Sequence, residues 1–142
     1  MTHDRIGGDE TLARALATVI AANGRIHERE LSALSGLGAF ERLGVTPDRL
    51  VQLARDCICD LGVGLQRRHW LDGRDLAYID ARLAAIVDPQ LRLLLCRWAA
   101  AVMVADGCVT HEERLVYRHV LRRWRISHVE VARAASGDQG IT

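Results

Sequence analysis

The sequence predicts an all-α protein: a single bundle of about seven helices that contains two pseudo-repeated helical hairpins. Apolar residues make up 49% of the 142 residues and aromatic residues only 4%. Ala and Leu must therefore carry the core, which favours packed helices. No alternating apolar run indicates a strand. One domain is expected at this length, with a flexible N-terminus at 1–8, a helical domain at 9–135 and a flexible tail at 136–142.

The first three helices follow from apolar spacing and from turn residues. The first is predicted at 9–22 and the second at about 27–43, with an interruption where "GLG" occurs. The third is predicted at 46–61. Thr46 is a good N-cap for it, and Pro47 occupies the first helical position, where the missing N–H costs nothing.

An irregular link is predicted at 62–75, and four helices follow it. The fifth helix of the chain begins with a cap and a proline in "DPQ" and is nearly all apolar over its C-terminal half, so it is expected to be the buried centre of the fold. Ser127 and Glu130 predict a capping box for the last helix. The four helices are predicted at about 76–87, 88–105, 110–124 and 127–135.

Two stretches of the chain resemble each other. "AANGRIHERE" at 21–30 aligns with "VADGCVTHEE" at 104–113, and each copy ends an apolar helix and begins a charged one. A pair of related hairpins is the simplest interpretation. Local physics explains much of the pattern, because the glycine closes a helix in the left-handed conformation and Thr110 caps the next helix with Glu113.

A cation site is the alternative interpretation of the acidic turn. Gly107, Val109 and Glu113 have the spacing of a calcium-binding EF-hand loop. The earlier ligand positions of that loop would be Val102 and Val104, which carry no side-chain oxygen. An EF-hand is therefore excluded.

The cysteines are expected to be free thiols in a reducing cytoplasm, because a chain of this size needs no disulfides and no signal peptide is visible. Cys108 and His111, beside Asp106, resemble part of a soft transition-metal site. A structural zinc ion normally takes four ligands, and no second Cys-His pair has matching spacing. The four cysteines are Cys57, Cys59, Cys96 and Cys108.

Residues 88–127, "DPQLRLLLCRWAAAVMVADGCVTHEERLVYRHVLRRWRIS", resemble the TerB-like family, which is linked to tellurite resistance and includes the N-terminal domain of the co-chaperone DjlA. With the twin hairpin included, the resemblance covers about 9–135. The family pattern is an apolar helix, then Ala-Asp-Gly, an apolar residue two positions further on, and a glutamate that opens the next helix. The matching residues here are Ala105, Asp106, Gly107, Val109 and Glu113.

The resemblance implies a non-enzymatic stress-response or scaffold module with an acidic cluster where the two hairpin turns approach each other. In such families this cluster is suspected to bind a divalent cation such as calcium. Carried over to this chain, the ligands are Asp106, Glu113, Asn23 and Glu30. Asn23 departs from the expected Asp, and because an amide oxygen brings no charge, the site is expected to be weak.

The sixth predicted helix carries Arg114, Arg118 and Arg122 at intervals of four residues, which places them on one face. This face is expected to bind a phosphate backbone or an acidic protein partner, or to be a solvated surface that pairs with nearby carboxylates. A metal-free protein–protein interaction module is therefore the alternative function. Trp70, in "QRRHW", is either an exposed anchor for a partner or a core residue.

Other function classes find little support in the sequence. The net charge is +1, which gives no indication of a nucleic-acid surface. The longest apolar run, "WAAAVMVA", is too short to span a bilayer, so no direct membrane insertion is expected. No catalytic motif emerges, and the chain is expected not to be an enzyme. The oligomeric state stays open.

Overall fold

The computed structural model describes residues 2–22, 28–105, 107 and 110–141, and every regular element in these ranges is helical. The all-α prediction is confirmed. The elements are α1 Thr2–Ile20, α2 Glu28–Gly36, α3 Ala39–Leu43, α4 Pro47–Cys57, a π-helical turn Ile58–Gly62, α5 Val63–Arg68, α6 Gly73–Ala84, α7 Pro89–Ala105, α8 His111–Trp124 and α9 His128–Ile141.

The centre of the bundle is α1. Between Leu12 and Ala22 every side chain except that of Arg14 is buried, and α1 packs against α3, α4, α6, α7 and α8. Alanines contribute much of this surface, and their small side chains let the neighbouring helices approach closely. The helix also begins at Thr2, before the predicted start at Asp9, and carries two consecutive glycines in its first half.

The fifth predicted helix, α7, is not the buried centre, and the expectation that it is surrounded by the core is wrong. Leu95, Trp98 and Val102 are buried, but Val104 is 74% exposed and Ala100 and Ala101 are half-buried. α7 packs against α1, α2, α8 and α9 and keeps one apolar flank partly uncovered. Apolar composition shows that a face avoids water, but it does not show which element covers that face.

Residues 63–68 form α5, so most of the link predicted at 62–75 is helical and only 69–72 is irregular. Gly62 and Gly64 indicated a loop, since each costs about 1 kcal/mol in a helix relative to alanine. Leu61 and Leu65 are fully buried beside them. Burial of a leucine contributes about 1.5–3 kcal/mol, which outweighs the glycine cost.

Short-range signals locate most helix ends correctly. Thr46 Oγ1 accepts a hydrogen bond from the backbone N–H of Arg49 at 3.1 Å, and Pro47 occupies the first turn of α4 as predicted. The interruption at 36–38 is confirmed, with Gly38 in the left-handed conformation (φ 71°) between α2 and α3. Ser127 Oγ accepts from the Glu130 N–H at 3.1 Å, which confirms that half of the predicted box.

Both ends of the chain are more helical than predicted, since α1 begins at Thr2 and α9 continues to Ile141. The flexibility expected for 1–8 and 136–142 stays a prediction, as do the domain limits. The predicted boundaries of α7 and α8 agree with the structure to within one residue.

Candidate functional site: an apolar groove beside the arginine face of α8

A groove of about 620 Å³ lies between α7, α8 and α9, and the turn between α2 and α3 closes one side. This volume falls in the range of sites that bind ligands or partner side chains. Below, "the groove" means the space lined by Leu37, Arg97, Ala100, Ala101, Met103, Val104, Arg114, Tyr117, Arg118, His128, Val131 and Ala132.

The uncovered flank of α7 forms the apolar wall of the groove. Val104 is 74% exposed, and Leu37, which faces the same space, is 39% exposed. Met103 and Val131 are buried behind them. Val104 and Leu37 therefore both line one depression whose other walls are mainly apolar, an arrangement typical of interaction sites.

The arginine face of α8 forms the opposite rim. Arg114, Arg118 and Arg122 are all exposed, and none of them forms an ion pair with a carboxylate in the described part of the chain. Arg114 and Arg118 line the groove, whereas Arg122 lies on the same face outside it. The neighbouring Arg123 differs, because its Nε lies 3.4 Å from Asp80 Oδ1 and ties α8 to α6. The partner-binding role predicted for the three arginines stays a prediction.

The electrostatic character of the groove is basic. Its described lining includes three arginines and no aspartate or glutamate. Burial raises the pKa of Tyr117 to about 12, so this residue is neutral at physiological pH. Its ring lies 5.9 Å from that of His128, centroid to centroid, which links α8 to α9 at the floor of the groove.

Two of the four predicted cation ligands are buried carboxylates. Glu30 is the third residue of α2 and Glu113 is the third residue of α8, and their exposed fractions are 0% and 1%. Asp106 and Asn23, the other two, lie outside the described residues. Whether the four oxygens share one neighbourhood therefore stays a prediction.

Glu113 has a structural role that needs no ion. Its Oε1 accepts hydrogen bonds from the backbone N–H and the hydroxyl of Thr110, at 3.0 and 3.2 Å. Thr110 Oγ1 in turn accepts from the Glu113 N–H at 3.1 Å, so the predicted capping box is confirmed. Gly107 adopts the predicted left-handed conformation (φ 72°), and its N–H donates to Val104 O at 2.9 Å.

The described ranges contain no preformed metal site. No group of three or more His, Cys, Asp or Glu side chains within 2–22, 28–105, 107 and 110–141 is arranged to hold an ion. Cys108, proposed with Asp106 and His111 as a soft-metal set, lies outside those ranges. Cys57 and Cys96 are buried free thiols and Cys59 is an exposed one. Burial raises the pKa of Cys96 to about 12, which keeps it protonated and unreactive.

Sequence reasoning placed 69–72 in an irregular link but missed the hydrogen bonds that hold this loop. Arg68, which precedes the loop, donates to both oxygens of the buried Asp75, at 2.7 and 3.1 Å, and to Trp70 O at 3.1 Å. This geometry holds Trp70 outward with 59% of its surface exposed, so its interpretation as a core residue is wrong. The signal was present in "DGRD", because Asp72 and Asp75 form a capping box for α6.

The same loop is attached to the start of α8. His69 Nδ1 donates to Glu112 Oε2 at 3.1 Å, and His111 Nε2 donates to His69 O at 3.0 Å. These bonds join residues more than forty positions apart, which spacing within one helix cannot reveal. The loop and the α8 N-terminus therefore form one surface.

A buried polar network between α1, α4 and α6 was also missed. The Tyr78 hydroxyl donates to Cys57 Sγ at 3.5 Å, and Thr18 Oγ1 lies 3.6 Å from the same sulfur. A polar pocket of about 110 Å³ adjoins this network. A water molecule occupies about 30 Å³ in the liquid, so the pocket admits a few waters, and it is far smaller than the 300–1,000 Å³ typical of ligand sites.

Comparison of the chain with protein-family models, curated proteins and solved structures gives no match. No helix in the described part of the chain has both the length and the apolar character needed to cross a bilayer.

Proposed function

We propose that the protein is a non-enzymatic interaction module that binds a protein partner in the groove between α7, α8 and α9. The observation that carries this proposal is the uncovered apolar flank of α7. In a helix with an almost wholly apolar C-terminal half, Val104 remains 74% exposed beside the partly covered Ala100 and Ala101. Contact with water is unfavourable for such a surface, and a partner that covers it gains free energy in proportion to the area removed from water.

The arginine face supports the same function. Arg114 and Arg118 take no part in ion pairs within the described fold, and both line the groove. Groups of this kind at the rim of an apolar surface direct partner choice and speed association, because they attract complementary charge before contact is made.

The test compares two valines that are equally exposed. Val104 lies in the groove and Val87 does not, and each is 74% exposed. Tagged wild-type, Val104→Asp and Val87→Asp proteins serve as baits in a quantitative pull-down from the native cell. We expect the Val104→Asp bait to lose a partner that both other baits retain, with the same melting temperature for all three. The same partners on all three baits would contradict binding in the groove.

We infer a second candidate function from the buried carboxylates: a TerB-like stress-response or scaffold module in the cytoplasm with a weak divalent-cation site. Glu30 and Glu113 occupy the same position, the third, in the two helices that follow the similar turns. Both are also buried, with exposed fractions of 0% and 1%. This correspondence supports a pseudo-repeat of the α1–α2 and α7–α8 hairpins.

A cation would require Asp106, Glu113, Asn23 and Glu30 to converge. Carboxylate and amide oxygens are ligands that calcium accepts. The capping role of Glu113 already employs its Oε1. The cation site is therefore the second proposal, and the groove does not depend on it.

A further inference from the structure

We propose that the occupant of the groove is an amphipathic α-helix of the partner protein, with acidic residues four positions apart along the edge of its apolar stripe. This inference rests on the proposed function and names the chemistry of the partner. It follows from the backbone of the groove walls, from the size of their side chains and from the placement of their charges.

The walls favour a helix over an extended segment. All three are α-helices, whose backbone groups are hydrogen-bonded within each helix, and no strand edge occurs in the described ranges. An extended peptide on such walls would leave its own N–H and C=O groups unpaired against apolar surface, which costs free energy. A helix satisfies its backbone internally and presents only side chains, as in other helix-in-groove complexes.

Small side chains make room for the approach of a helix. Ala100 and Ala101 of α7 and Ala132 of α9 line the groove. Packed helices lie about 8–10 Å apart, and the shortest separations occur where the contact residues are small. Larger apolar side chains of the partner, spaced at i, i+3, i+4 and i+7, can then fill the space beside Val104 and Leu37.

The charges select an acidic helix. Arg114 and Arg118 are four residues apart, which corresponds to about 6 Å along the axis of α8. Carboxylates four residues apart on a helix lying beside α8 have the same spacing. Because Arg114 and Arg118 form no ion pair within the described part of the chain, a basic partner would meet like charge at both of them. Arg122 continues the row outside the groove and is less important in this arrangement.

The test is a selection from a phage-displayed library of random 16-residue peptides, with full-length wild-type protein as bait and the Val104→Asp variant for counter-selection. Affinities of the enriched peptides are then measured by fluorescence polarisation. We expect peptides with an apolar stripe of helical period and with Glu or Asp at i and i+4. We expect Arg114→Glu with Arg118→Glu to weaken their binding about tenfold, as for the loss of two surface ion pairs, and to leave the melting temperature unchanged.

A matched pair of controls separates the groove from the rest of the arginine face. Arg122→Glu should weaken binding less than Arg118→Glu does. Exchange of the two peptide acids for Lys should restore binding to the Arg114→Glu, Arg118→Glu protein, because the interaction is then reversed in sign. An equal loss of peptide affinity in Arg122→Glu and Arg118→Glu would contradict direct pairing between the peptide acids and the arginines of the groove. Failure of the Lys-containing peptides to bind the double variant would contradict it as well.

Other outcomes would contradict the proposal that an acidic helix occupies the groove. Enriched peptides that contain proline in mid-sequence, lack acids or carry basic residues would overturn it, as would failure to enrich any peptide that depends on Val104. Sedimentation experiments could also show that the wild-type chain is a dimer and that Val104→Asp makes it a monomer. A second copy of the chain would then fill the groove, and the proposal of a partner helix would be overturned. The pull-down with Val104→Asp and Val87→Asp decides separately whether the groove binds a partner at all.

Discussion

Thr110 and Glu113 cap the first turn of α8 reciprocally. Thr110 Oγ1 accepts from the Glu113 N–H at 3.1 Å, and Glu113 Oε1 accepts from the Thr110 N–H at 3.0 Å. The cap fixes the first residues of α8, and therefore the direction in which the helix presents Arg114 and Arg118. It also gives the buried Glu113 a structural function that is independent of any cation.

Two substitutions separate the contribution of the helix cap to stability from that of the Glu113 carboxylate charge. Thr110→Ala should lower the free energy of unfolding by about 1 kcal/mol, because the backbone N–H of Glu113 loses its acceptor. Glu113→Gln should cost less, since glutamine also completes a capping box. Urea denaturation of the two variants measures both values. A larger cost for Glu113→Gln than for Thr110→Ala would show that the carboxylate charge has a role beyond the cap.

The cation proposal predicts stabilisation by calcium. A ligand that binds only the folded state raises the melting temperature, so millimolar calcium should raise that of the wild-type protein. The double change Asp106→Asn with Glu113→Gln should abolish the rise. Glu28→Gln, which removes an exposed acid at the start of α2, should leave it intact. No rise in the wild type would remove the cation proposal and leave the groove unaffected.

The exposure of Trp70 predicts a simple optical result. Trp70 is 59% exposed, whereas Trp98 and Trp124 are 2% and 8% exposed. Iodide should therefore quench only one component of the native tryptophan emission, and Trp70→Phe should remove that component. The remaining emission should shift to shorter wavelength, because both remaining indoles are buried. Quenching that persists in Trp70→Phe would contradict the outward position of the 69–72 loop.

The ion pairs of Glu10 predict a pH dependence with a defined sign. Hydrogen bonds from Arg49, at 3.0 and 3.1 Å, hold the pKa of Glu10 below its usual value. A lowered pKa in the folded state contributes stability at neutral pH, which is lost as the pH falls through that lowered value. Glu10→Gln should therefore destabilise the protein at pH 7 and have little effect in acid. Thermal melts of wild type, Glu10→Gln and Arg49→Gln across pH measure this, and a cost that persists in acid would contradict it.

Sequence reasoning succeeded where the physics is local. Caps at Thr46, Thr110 and Ser127 involve residues three apart, and the left-handed Gly107 follows directly from the end of an apolar helix. The spacing of the arginines on α8 is also local, so their shared exposed face was predicted from the sequence. Each of these features depends on one helix and its ends.

The remaining features depend on contacts between distant segments. The groove brings together three helices and the α2–α3 turn, and Val104 is exposed because no element of the described fold covers it. Residues 63–68 are helical because Leu61 and Leu65 are buried, which overrides the local preference of the glycines. A pattern of apolar residues indicates that a surface avoids water. Only the tertiary structure determines whether another part of the chain covers that surface or leaves it open to a partner.

The central claim, that the α7 flank binds a partner, is tested most directly by site-specific photo-crosslinking in the native cell. A photoreactive side chain replaces Val104 in one protein and Val87 in another, two sites of equal exposure inside and outside the groove. We expect a discrete crosslinked species from position 104 that is absent from position 87 and whose yield falls in the Arg114→Glu, Arg118→Glu background. The same products from both positions, or none from position 104, would contradict the account.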